Sequence, residues 1–121
     1  MKRSTATAAC AALALVLCMP LATAQDLAKT AGKNAKVVLD NDEVRVIELN
    51  MPAGAATGMH SHKNHLVVFL TGGKARQTNA DGSVKEMERK PGEVLYAEPV
   101  THDTVNESGK PVRTLVIELK K

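Results

Sequence analysis

The chain has no tryptophan, one tyrosine and one phenylalanine in 121 residues. Binding of single-stranded nucleic acid by stacking bases on aromatic rings would have almost nothing to work with. Charge of one sign is also scarce, with 16 Lys+Arg against 13 Asp+Glu and a formal net charge of +3. Two of the cations, Lys2 and Arg3, stand at the start, so beyond residue 24 the balance falls to +1 and a polybasic nucleic-acid binder is excluded. Apolar runs are short. Ala8 to Leu21 is broken by Pro20 and falls short of the ~20 residues that cross a bilayer, and no other segment comes close. Both cysteines, Cys10 and Cys18, lie within that run. The remaining chain therefore has no thiol, disulfide or cysteine-based metal site, and its stability must come from its core.

Lys2 and Arg3 precede the apolar stretch Ala8 to Leu17, and Ala22-Thr23-Ala24 supplies the small residues that a signal peptidase requires. Residues 1–24 are read as a cleaved secretory signal, which implies a periplasmic or secreted protein without a membrane anchor. Leu17 is too bulky immediately before Cys18 for a lipoprotein processing site.

Residues 25–35 are polar with scattered Ala and Gly, consistent with a loose arm or a short helix. From Lys36 to Lys121 the sequence changes to short runs rich in Val, Ile, Leu and Thr, separated by turn formers. The rhythm predicts one all-β domain over 36–121. Its strands are expected at Lys36–Leu39, Val44–Leu49, Leu66–Thr71, Lys74–Asn79, Val84–Arg89, Val94–Ala97, Asp103–Val105 and Val112–Leu119. Asp81-Gly82 is the clearest hairpin signal. In the last strand Leu115, Ile117 and Leu119 share one face and Thr114, Val116 and Glu118 the other, and the leucine-rich face reads as core. Leu66-Val67-Val68-Phe69-Leu70 is apolar on both faces, which implies burial between two sheets or under a partner chain; a homodimer is expected.

The four histidines carry the chemistry. His60, His62 and His65 fall within six residues, and His102 lies at the start of a later strand. Residues two apart on an extended strand project to one face with Cα atoms ~6–7 Å apart, so His60 and His62 can aim two ring nitrogens at one ion. His102 is the natural third ligand and His65 an optional fourth. Without cysteine or an obligatory carboxylate, such a set suits Fe(II), Zn, Cu or Ni better than Ca or Mg, while Mn wants more oxygen.

Gly54-x5-His60-x-His62, followed by Leu66-Val67-Val68-Phe69-Leu70-Thr71-Gly72, resembles the first conserved motif of the cupins. Pro91-Gly92-Glu93-Val94-Leu95-Tyr96, then Pro99 and His102-x3-Asn106, is similar to the second. The resemblance implies a small antiparallel jelly-roll β-barrel with a divalent transition metal (Fe, Zn, Cu, Ni or Mn) held by His60, His62 and His102. Two departures stand out. His65 occupies the place of the first motif's glutamate, and six residues rather than five separate Gly92 from Pro99. The function so implied is an exported metal-binding cupin acting on a small polar molecule, of the dioxygenase-like oxidoreductase kind; the alternative is a metal or small-ligand binding module without turnover. Among other residues, Arg45 and Arg76 read as solvated strand cations, Asn106 as a backbone cap at the barrel mouth, and Tyr96 as a core ring whose hydroxyl reaches solvent. Glu98 and Asp103 are the nearest candidates for a general base.

Overall fold

The computed structural model describes residues 25–121, and the signal-peptide reading of residues 1–24 lies outside the described residues. A short helix α1 (Leu27–Thr30) and a single 3-10 turn (Gly32–Asn34) lead into nine strands: β1 (Ala35–Asp40), β2 (Val44–Met51), β3 (His60–His62), β4 (His65–Phe69), β5 (Gly73–Asn79), β6 (Val84–Arg89), β7 (Val94–Ala97), β8 (Val100–Asn106) and β9 (Val112–Leu119). They form two antiparallel sheets, β1-β2-β9-β4-β7 and β3-β8-β5-β6, which enclose the interior of a jelly-roll barrel.

The expected strands all appear, with shifts that trace to polar residues. β3 was not expected as a strand of its own, because His-Ser-His lacks the apolar run that marks one. β8 is longer than Asp103–Val105 and begins at Val100, since backbone pairing to β3 and β5 continues through polar side chains. The β5–β6 hairpin closes as expected: the Gly82 amide donates to the Asn79 carbonyl at 2.9 Å and that of Asn79 to Ser83 at 2.8 Å. Gly82 takes φ +86°, a left-handed conformation open to glycine at little cost.

The last strand corrects the reading of its faces. The inward residues are Thr114, Val116 and Glu118, with Val116 in the buried cluster beside Ile47, Leu49 and Met51. Leu115, Ile117 and Leu119 lie on the outer side. The two-residue period was right and its polarity inverted, because the inner face lines a polar-ended cavity and the outer face carries the greasier residues.

The segment before the barrel is packed, not loose. Asp26 caps α1 by accepting from the Ala28 amide at 3.0 Å, and Leu27 is 1 % exposed within the core. The Ser61 amide donates to the Gln25 carbonyl at 2.9 Å, so this arm lies directly beside the two-histidine strand.

Candidate metal centre

His60 and His102 are directly opposed in the β3–β8 ladder, and His62 follows two residues along β3. Direct partners in an antiparallel pair share a face, as do residues i and i+2 of one strand. Three imidazoles from two strands therefore point to one place. Ring centroids are 4.6 Å apart for His60 and His62, 4.9 Å for His60 and His102 and 5.6 Å for His62 and His102. One nitrogen from each of the three lies within 4.8 Å of the others, and all three residues are buried.

Tautomers are set by the groups behind the rings. A carbonyl only accepts, so at 2.6 Å from the Gly58 carbonyl Nδ1 of His60 must carry the proton and donate it. Nδ1 of His65 does the same to the Lys63 carbonyl at 2.7 Å. Nδ1 of His62 faces Oε1 of Glu118 at 3.2 Å. Each of these bonds leaves Nε2 with its lone pair as the ligand atom, which is how ligating imidazoles are oriented in metal sites. His65 stacks on His62 with centroids 4.3 Å apart and planes at 29°, and stands outside the converging trio.

Burial favours the neutral form of three of the rings, His60, His65 and His102. Burial, joined by repulsion from the other imidazoles, pushes His102 down to about 3. Burial also lowers His60 and His65 against the opposing pull of their carbonyl hydrogen bonds. Converging, buried imidazoles, with Nδ1 of His60 committed to a carbonyl and Nδ1 of His62 facing a carboxylate, fit a divalent transition metal.

Glu118 was not singled out in the sequence, although alternation along β9 places it on the inward face and its register partner is His65. Its Oε2 lies 3.7 Å from Nη1 of Arg45, which in turn reaches Oδ2 of Asp26 at 2.9 Å. Arg45 is thus committed to carboxylates behind the histidines, while Arg76 pairs with Glu107 near the surface. Glu118→Gln should weaken metal binding about 10–100-fold by removing the charge that orients His62. Competition against a chromogenic chelator measures this, and unchanged affinity would mean that the His65 stack alone positions the ring.

The remaining candidates separate by location. Asn106 is buried and spent on backbone carbonyls. Tyr96, the register partner of outward Leu66, is 55 % exposed on the outer face rather than a core ring. Glu98 lines the cavity, and Oδ1 of Asp103 accepts from the Thr57 hydroxyl at 3.2 Å. That cavity has a volume of about 460 Å³ and is bounded by the histidines at one end and by Met87, Phe69, Leu95 and Val67 along its walls.

Residues 47–118 match the family model described as a cupin domain. Among solved structures, a cupin domain from Bordetella pertussis Tohama I superposes with a TM-score of 0.67 at 29% identity, covering 72% of this chain and 92% of that one. A cupin-like protein from Thermotoga maritima gives 0.56 at 18% identity, covering 71% and 67%. The polyketide cyclase RemF from Streptomyces resistomycificus gives 0.54 at 22% identity, covering 75% and 68%; the last two likenesses are of fold alone. No curated protein matches the sequence.

Proposed function

The chain belongs to the cupin family, and from that premise we propose that it is an exported metal-binding cupin that admits a small polar molecule to a three-histidine centre and oxygenates it. The observation that carries this reading is the convergence of His60, His62 and His102 at the end of a ligand-sized cavity. A divalent transition metal held there would supply Lewis acidity and, for iron or copper, redox chemistry toward O2. Dioxygenation needs no outside reductant, because both oxygen atoms enter the product and the substrate supplies the electrons. The protein's own residues do the rest. The carbonyls of Gly58 and Lys63 and the Glu118 carboxylate hold the imidazole protons on Nδ1. Val67, Phe69 and Leu95 give the space in front of them apolar walls.

A second reading, ligand binding without turnover, is favoured by His65 standing where the family motif has its glutamate. Elemental analysis of protein from its native compartment, followed by O2-uptake screening with the ion found, separates the two. Metal with O2 consumption supports oxygenation, metal without it a metal-binding module, and no metal overturns oxygenation and leaves a module that binds a small ligand alone.

The same premise bears on assembly. The register places Leu39, Val46, Ile117, Leu66 and Tyr96 side by side in one row across all five strands of the larger sheet, on its outer face. Leu115, Val68 and Val94 form the next row. Leu39 is 47 % exposed and Val94 61 %. The 31 residues of these five strands, at ~3.3 Å rise and ~4.8 Å spacing, span about 500 Å² in projection, more than half of the ~800 Å² per partner of a standard interface. We propose that a second copy covers this face. Sedimentation should show a dimer that Ile117→Glu converts to monomer with its metal retained; a native monomer at high concentration would remove the proposal.

A further inference from the structure

A cationic side chain stands at the opposite end of the cavity from the histidines. In the four-stranded sheet Asn79 pairs with His102, Ala75 with Met87 and Gly73 with Arg89, and these residues share the inward face. Gly73 and Asn79 are six residues apart, so the rungs that carry Arg89 and His102 are separated by ~20 Å at the backbone. Both side chains line the same space, and the inward rungs between them carry Ala75 and Met87 together with the polar Gln77, Lys85, Thr104 and Asn106.

A guanidinium has five N–H donors. Among the described residues, Arg89 spends one of them on Glu93, whose Oε2 accepts from Nη1 at 3.5 Å, the outer limit of a hydrogen bond. Its Nε is buried without a partner, the single such side-chain nitrogen or oxygen among the described residues. Native proteins keep few such groups, and each calls for an explanation. With Nη1 turned to Glu93, the free edge is Nε–Nη2, two parallel N–H groups spaced to meet both oxygens of a carboxylate. Lys85, four residues earlier on the same strand and also lining the cavity, adds a second positive charge.

We propose that Arg89 anchors a carboxylate of the molecule that the cavity admits, and that this molecule is an elongated acid whose far end meets the histidines. Only the far end rests on the metal-centre reading. Arg89 is then the residue that selects acids over neutral compounds of the same length.

The test uses the full chain, metal-free and zinc-loaded, with three six-carbon probes: hexanoate, 1-hexanol and adipate. In the metal-free protein the Arg89 Nε–H resonance should move as hexanoate is added and stay put with 1-hexanol. In the zinc-loaded protein Arg89→Gln should weaken adipate binding by roughly 10–100-fold, with Arg89→Lys, which keeps the charge but loses the fork, in between. An Arg89 resonance that ignores hexanoate overturns the proposal, as does an Arg89→Gln protein that holds adipate like the wild type. Should Arg89→Gln fail to fold, the wild-type resonance decides alone. Failure to bind zinc, with the hexanoate response intact, removes the metal centre and upholds the anchor.

Discussion

Replacing His102 by alanine should cost more than about a hundredfold in metal affinity, beyond the ~10–100-fold expected for a group that only orients a ligand. His60→Ala and His62→Ala should match it, because each removes one of three converging nitrogens. His65→Ala should shift affinity while leaving the centre loaded, since its ring stacks on His62 outside the trio. Metal content after dialysis reads all four; equal loss at His65 would make it a full ligand. The pH dependence follows from burial. Metal requires neutral imidazoles, and lowering of His60, His65 and His102 keeps them neutral below the ordinary histidine range. Occupancy should therefore persist below pH ~6.5. The metal-free protein carries the corresponding penalty. Between an unfolded value near ~6.5 and a folded value of about 3 for His102, the unfolded chain binds the proton and the folded one does not. That contribution to stability is intact above ~6.5 and is lost as the pH falls toward 3. Urea titrations of the metal-free protein from pH 7 to 4 should show it, and a flat profile would mean that the imidazoles titrate normally.

Asn106→Ala should unfold the barrel far more readily, by about 2–4 kcal/mol. Asn106 is 4 % exposed, and its amide nitrogen donates to the carbonyls of Met51 at 3.0 Å, Pro52 at 3.1 Å and Lys110 at 2.8 Å. Its side-chain oxygen accepts from the Ser108 amide at 2.9 Å. One side chain thus ties the end of β2 to the turn before β9, and alanine leaves several of those backbone groups without partners. For a domain of this size the loss should lower Tm by roughly 10–25 °C. Asn106→Asp is the sharper control: it keeps the shape and the acceptor but offers the carbonyls no donor. A variant of either kind melting within a few degrees of the wild type would show that water replaces the lost bonds.

Most of the architecture was legible because strands announce themselves by period and turns by residue type. Asp81-Gly82 marked its hairpin, and His60 and His62 marked a shared face by spacing alone. What was not legible depended on pairing. That His60 sits opposite His102 is a statement of register between strands far apart in sequence; the histidine count and the family resemblance named His102 as a third ligand without pairing it. Alternation along β9 separates two faces, and the greasier one reads as core although it is the outer one, because burial depends on the neighbouring sheet rather than on the strand. Glu118, Arg89 and Leu27 were missed for the same reason: each acquires its role from what lies across a cavity or ladder. A polar stretch with one leucine gave no sign that Leu27 would seat in the core.

The direct pairing of His60 with His102 also has a bearing on timing. The two are 42 residues apart, so the unfolded chain offers a metal only the neighbouring histidines of one short segment. The third arm of the chelate closes when β3 meets β8, which requires a long loop to close and long-range β contacts to form, slow events for a chain of this topology. Tight capture of an ion is therefore tied to the completion of folding. Because imidazole sites discriminate modestly among transition ions and availability decides much of the outcome, an ion taken up by this centre would be one available where the chain finishes folding.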